Sequence, residues 1–200
     1  MVVAGVTGNL ASGKTEVARI FRKLGARVFD ADLAARRALE KGRPAYRALL
    51  RIWGRKFLGS NGEIDRKELA EHVFHHPRAL RKLDILVHPQ VIFDCLGWIR
   101  RLSGKKGVLV LDVPLLFESR MEGLADFTVV VRASRKKMLE RARKKGIPFE
   151  LAEKILSTQW PMEKKARLAD FVMDNNGTLG DLRRKAMKIW VKINKQKGGK

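Results

Sequence analysis

Apolar residues come in two textures along this chain. Val2 to Val6, Val108 to Leu111 and Phe127 to Val131 are short, nearly unbroken runs rich in β-branched residues, the form taken by strands buried on both faces of a parallel sheet. Ala26-Arg27-Val28-Phe29 and Phe171-Val172-Met173 read as shorter strands. Elsewhere apolar positions recur at helical spacing: Thr15 to Phe21, Leu33 to Glu40, Pro44 to Trp53, Arg66 to Phe74, Arg78 to Leu86, from Ser134 onward, Pro148 to Thr158, and Leu179 to Ile193. Gly25, Asn61-Gly62-Glu63 and Asn175-Asn176-Gly177 punctuate them as stops and turns. From Leu33 to about Leu102 no strand interrupts, so an α/β core is expected to carry a helical excursion over 33–102, a natural place to bind a substrate.

Composition narrows the setting. Two hundred residues at 45% hydrophobic content suffice for one domain with a substantial core. No apolar run approaches the ~20 residues of a membrane span, and the chain enters its first strand without a signal-peptide pattern, which predicts a cytoplasmic protein with no membrane partner. Cys95 is the only cysteine, so no intrachain disulfide forms, and small core filler is its expected role. Lys and Arg outnumber Asp and Glu 43 to 21, a formal charge of +22 that favours polyanionic partners of any kind. The basic runs, such as Arg135-Lys136-Lys137 and Arg141 to Lys145, read mostly as solvated helix faces, and 194–200 as a basic tail that frays.

The chemistry begins at Gly8-Asn9-Leu10-Ala11-Ser12-Gly13-Lys14-Thr15, which fits the phosphate-binding pattern G-x-x-x-x-G-K-[ST] in full. A loop that wraps a phosphate must turn successive N–H groups inward, and Gly8 and Gly13 permit the dihedrals and the close approach. Lys14 is expected on the β- and γ-phosphates, the Thr15 hydroxyl on Mg²⁺, and Glu16 to contribute its backbone N–H. The loop lies between a strand and a helix, so the phosphate would sit on the helix N-terminus.

Asp30 and Asp32 stand at the end of the second strand, where open α/β sheets bind ligands. Asp32 is read equally well as the N-cap of the helix that follows and as a chemical group, and the two are compatible. Asp112 closes an apolar strand in the placement of a Mg²⁺-holding Walker-B carboxylate. The basic helical pair at about 134–163 serves either as a lid over phosphates, with Arg141 the best candidate for charge stabilisation, or as an exposed hairpin. His72, His75 and His76 share a helical face, open to a metal or to the role of a polar helix end stopped by Pro77.

Together these motifs resemble the dephospho-coenzyme A kinase family from Val3 to about Gly177. The residues that carry the likeness are Thr7-Gly8 through Lys14-Thr15, Asp30-Ala31-Asp32 with Ala35-Arg36, Gly62 with Asp65-Arg66, and His88-Pro89. Further on they are Asp112-Val113 followed by Pro114, Leu115, Leu116, Phe117 and Glu118, then Arg141, Gln159 with Pro161 and Lys165, Ala169-Asp170, and Asn175 with Gly177. The resemblance implies a three-layer P-loop nucleoside triphosphate hydrolase fold, with a five-stranded parallel sheet, the excursion as substrate region and the basic hairpin as lid. It implies transfer of the γ-phosphate of Mg-ATP to the ribose 3′-hydroxyl of dephospho-coenzyme A, with no obligatory nucleic acid.

By the same resemblance Asp32 is the general base, Arg141 and Asn175 lie on the ATP side, and Arg36, His88 and Pro114 to Glu118 line the acceptor side. With them, Asp30, Asp112 and Thr15 are assigned to the metal. The family's commoner pattern has glycine where Asn9 and Ala11 stand, so the loop's dihedrals are the point of departure. Two other readings remain: a kinase for another small metabolite or nucleotide on the same scaffold, and a nucleic-acid-binding NTPase suggested by the charge. Against the second, the basic residues are not interleaved with aromatics as a stacking platform requires.

Overall fold

A computed structural model describes residues 1–195. Among them the strands β1 (Val2–Thr7), β2 (Arg27–Asp30), β3 (Val108–Asp112), β4 (Phe127–Arg132) and β5 (Phe171–Asp174) form one parallel sheet in the order β2-β3-β1-β4-β5. β1 and β3 are buried along their whole length, which explains why neither alternates polar with apolar. The ladder aligns Val6 with Asp112 and Asp30 with Asp112, bringing both strand-end aspartates to the same carboxyl edge.

The helices are α1 (Lys14–Lys23), α2 (Ala31–Ala38), α3 (Pro44–Trp53), α4 (Arg66–His75), α5 (Pro77–Leu102), α6 (Arg135–Lys144), α7 (Phe149–Thr158), α8 (Met162–Leu168) and α9 (Leu179–Lys195). They and the strands divide into two compact units, which among the described residues comprise 1–30 with 98–195, and 31–97.

In the first unit the pleat sorts side chains to two helical layers. Val2, Ala4 and Val6 of β1, with Val108, Val110, Val129 and Val131, meet Val17, Ile20 and Phe21 of α1 and Leu182, Ala186, Ile189 and Ile193 of α9. On the opposite face Val130 meets Phe117, Met138 of α6, Leu156 of α7 and Met162 of α8. Gly5 keeps β1 close to this second layer, since a Cβ there would lie 2.8 Å from Leu116 Cδ2. In the second unit Tyr46 and Leu49 of α3, Phe57 and Ile64 of the connection that follows it, Leu69 and Val73 of α4, and Ala79 of α5 form a separate core. Its Asn61-Gly62-Glu63 turn is held by the Leu58–Ile64 bridge and by Tyr46 Oη, which donates to Gly62 O at 2.6 Å.

Four elements depart from the reading of the sequence. α5 runs on through Pro89 to Leu102, because Val87, Val91 and Cys95 keep burying one face and outweigh the hydrogen bond that proline removes. α8 is a helix the periodicity did not predict, since a lysine, Lys165, occupies one of its two buried positions, beside Met162. Helix α2 begins at Ala31, so Asp32 lies inside the first turn and is not its N-cap. Asn194 and Lys195 extend α9 where fraying was expected, and the rest of that tail, 196–200, lies outside the described residues.

Candidate functional site

The loop between β1 and α1 is shaped by its two fixed glycines. A Cβ on Gly8 would stand 2.4 Å from both Ser12 Oγ and Val131 O, and one on Gly13 would stand 2.1 Å from Asn175 Nδ2. Gly13 also takes φ 108° and caps α1 without a side-chain acceptor, leaving that end of the helix to an anion. Ala11 adopts φ 55°, a left-handed conformation at a position where glycine is the commoner residue in the resemblance. Glu16 donates its N–H to Gly13 O at 3.0 Å, and its carboxylate pairs with Arg19 at 2.9 Å.

Lys14, buried at the start of α1, places Nζ 3.0 Å from Asp112 Oδ1 at the end of β3. The geometry thus unites the predicted phosphate lysine with the predicted metal carboxylate. Asp30 stands beside Asp112 in the ladder, and Thr15 is exposed in the first turn of α1. Hydroxyl and carboxylate oxygens are the hard donors Mg²⁺ prefers, so Thr15, Asp30 and Asp112 are chemically suited to it.

Asn175 and Arg141, which the resemblance puts on the ATP side, converge on one atom of the loop. Asn175 Nδ2 donates to Ser12 O at 2.7 Å and Arg141 Nη1 to the same oxygen at 3.3 Å, while Arg141 Nη2 donates to Asn175 O at 2.9 Å. The neighbouring carbonyls of Asp174 and Asn176 accept from Lys185 Nζ, at 2.7 Å, and from Lys137 Nζ. Three consecutive carbonyls, from the last residue of β5 onward, are therefore each bound by a basic side chain. Burial raises the pKa of Asp174, but hydrogen bonds from the Asn176 backbone and side chain, aided by Lys185 and Arg132, outweigh it and hold the carboxyl below its ordinary value.

The α6–α7 hairpin is tied internally by Arg135 and Glu153. Past it, Gln159 Oε1 accepts from Leu10 N at 2.9 Å, and Asn9 Nδ2 donates to Trp160 O at 3.2 Å, so the chain just beyond α7 rests on the loop. A cavity of about 620 Å³ opens here, bordered by Asn9, Arg132, Ser134, Trp160, Glu163 and Asn176.

In the segment after β3, Pro114 O accepts from Thr7 Oγ1 at 2.9 Å and from Lys165 Nζ at 3.1 Å. Glu118 Oε1 lies 2.8 Å from Lys165 Nζ and accepts from Trp160 N at 2.9 Å. Leu116 and Phe117 are buried, while Pro114 and Leu115 are half-buried. Sequence reasoning quoted Thr7, Lys165 and Gln159 without giving them a role and passed over Trp160.

In the second unit Arg36 O accepts from Arg66 Nη2 at 3.2 Å, and His88 Nε2 lies 3.5 Å from Asp84 Oδ1 one turn earlier on α5. Burial raises the Asp84 pKa, and His88 offsets part of that rise. The three histidines of α4 and its end do not converge. His72 and His76 stack at 4.4 Å, and Nδ1 of His75 and of His76 each sits 2.7 Å from the carbonyl four residues back. Among the described residues no three His, Cys, Asp or Glu side chains are grouped to hold a metal.

A family model described as "Dephospho-CoA kinase" matches residues 2–181. The dephospho-CoA kinase of Geobacillus kaustophilus is 40% identical over 188 residues, covering 92% of this chain and 93% of that protein. A crystal structure from Thermus thermophilus superposes with a TM-score of 0.79 at 33% identity, over 96% of both chains. The dephospho-CoA kinase structure from Campylobacter jejuni superposes with a TM-score of 0.71 at 27% identity, over 96% of this chain and 97% of that one.

Proposed function

The chain belongs to the dephospho-CoA kinase family, and on that premise we propose how its own residues carry the family's reaction. It is an ATP-dependent phosphotransferase that moves the γ-phosphate of ATP to the ribose 3′-hydroxyl of dephospho-coenzyme A, giving coenzyme A and ADP. The observation that carries the residue assignments is the Lys14–Asp112 pair at the carboxyl edge of the sheet, flanked by Asp30 and the glycine-shaped loop.

The loop from Gly8 to Glu16 cradles the phosphates, and Lys14 exchanges its hold on Asp112 for the β- and γ-phosphate oxygens. Arg141 spends two of its donors on Ser12 O and Asn175 O, which aims the guanidinium at the loop that holds the transferring group. Asn175 fixes the loop through Ser12, and the cavity beside Asn9 and Asn176 accommodates the nucleoside. Thr15, Asp30 and Asp112 would hold Mg²⁺, which when bound neutralises charge on the phosphate oxygens.

Asp32, two residues beyond Asp30 in the first turn of α2, accepts the proton of the 3′-hydroxyl as that oxygen attacks phosphorus. Arg36, His88 and the segment Pro114 to Glu118 bind the acceptor, the arginine through its phosphates. The reaction takes place in the cytoplasm, and among the described residues no helix is long and apolar enough to cross a membrane.

An ADP-release assay with ATP and a panel of acceptors tests the reading. Turnover is expected with dephospho-coenzyme A and is expected to stop when EDTA removes divalent cations. Strong turnover with a nucleoside monophosphate and none with dephospho-coenzyme A would assign the scaffold to another acceptor.

A further inference from the structure

Lys165 is wholly buried, an expensive place for an ammonium unless its charge and its protons are all matched. Its partners form a closed circuit. Thr7 Oγ1 donates to Pro114 O, the same oxygen receives Lys165 Nζ, and Lys165 Nζ also meets Glu118 Oε1. Glu118 Oε1 accepts from Trp160 N, and Trp160 O accepts from Asn9 Nδ2. Asn9 lies two residues from Thr7, so the circuit returns to the phosphate loop where it began.

Each of the three segments it joins has a separate role in the proposed reaction. Thr7 to Asn9 leads into the donor loop, Pro114 to Glu118 follows the Walker-B strand on the acceptor side, and Trp160 ends the lid. A backbone hydrogen bond from Val113 N to Val6 O, at 3.0 Å, ties the ends of β1 and β3, and beyond it the side chains of the circuit, with Gln159 on Leu10 N, link these distant segments.

We infer that Lys165 is a positioning residue that, through Glu118 and Pro114, holds the donor loop, the acceptor-side segment and the lid's end in one register for phosphoryl transfer. The inference rests on the dephospho-CoA kinase reading of the site. A merely supporting ion pair would have a different signature. Glu118 Oε2 is buried without a hydrogen-bond partner, so the pair is not an optimal way to fill this space. Burial lowers the Lys165 pKa, assisted by the nearby Lys14 ammonium and opposed by Glu118. Replacing such a pair with neutral side chains of similar size is often harmless to stability. What it removes is the fixed spacing of the segments, and misplacement by about 1 Å can cost roughly a hundredfold in rate.

The test measures wild type, the double variant Lys165→Met/Glu118→Gln, and Thr7→Val, all well below their unfolding temperatures. The double variant removes both buried charges, while its glutamine still accepts from Trp160 N–H. Thr7→Val cuts one hydrogen bond of the circuit and keeps the ion pair. The double variant is expected to melt within a few degrees of wild type, to bind ATP within threefold in an equilibrium titration, and to lose about a hundredfold in kcat. Thr7→Val is expected to lose about fivefold in kcat, as one hydrogen bond would. Wild type that turns over dephospho-coenzyme A beside variants whose kcat stays within twofold would overturn the inference and leave the activity standing. Wild type that fails to turn it over would overturn the activity first, and the inference with it.

Discussion

At the scale of single residues the site is built from atoms that tolerate little substitution. Asp32 is assigned the proton-accepting role, and its place inside the first turn of α2 removes the N-cap explanation for an aspartate there. Asp32→Asn keeps the shape and loses the base, so kcat is expected to fall by about 10²- to 10⁴-fold with KM for both substrates within a few-fold. A steady-state series in each substrate measures the split, and a kcat within a few-fold of wild type would end the assignment. Ala11 carries the opposite lesson, because its φ of 55° costs an L-residue about 1–2 kcal/mol, slightly more than glycine loses in chain entropy. Ala11→Gly should therefore melt at or slightly above the wild-type temperature. Ala11→Val, β-branched in the same dihedral region, should melt several degrees lower. Calorimetry of the three proteins checks the order.

At the scale of elements, what the chain discloses depends on whether its burial is unbroken. β1 and β3 were legible because both faces are buried, and the loop at Gly8 to Thr15 because steric demands leave only glycine at its fixed places. Helix α8 was not legible, since its most buried side chain is a lysine whose partner, Glu118, lies in a different segment. The circuit through Thr7, Pro114, Glu118 and Trp160 escaped for the same reason: periodicity reports on neighbours three or four residues away, and these pairings span many more. Helix α9 shows local chemistry that can be read and tested. Thr178 N and Oγ1 donate to Asp181 Oδ2, at 2.8 and 2.7 Å, and Asp181 N donates back to Thr178 Oγ1 at 3.2 Å, a reciprocal box at the helix start. The Thr178 hydrogen bonds, with Arg184 and Lys185, lower the Asp181 pKa. A carboxyl depressed in the folded state stabilises at pH above its unfolded value, about 3.9, and that contribution disappears as pH falls through the folded value. Asp181→Asn should thus lower the unfolding temperature at pH 7 and leave a smaller difference from wild type at pH 2.5. An equal difference at both pH values would show that the carboxylate's charge contributes nothing.

At the scale of the whole molecule the formal charge of +22 acts on stability and on binding in opposite senses. Like charges across one small protein repel, and the folded state confines them more closely than the unfolded chain does, so self-repulsion lowers stability. Salt shortens the reach of that repulsion, from about 30 Å at 0.01 M to about 8 Å at 0.15 M. The unfolding temperature should therefore rise between these two ionic strengths. The same screening weakens long-range attraction of ATP and of the phosphates of dephospho-coenzyme A, so both KM values should rise over that interval while kcat at saturation stays constant. A fall in both stability and kcat would mean that local ion pairs, such as the buried Lys14–Asp112 and Lys165–Glu118, dominate the salt response. RNA separates a general polyanion surface from a regulatory one. Binding driven by charge alone should weaken steeply with salt and leave phosphoryl transfer untouched at saturating substrates. A change in kcat on adding RNA at 0.15 M salt would instead make nucleic acid a partner of the kinase site.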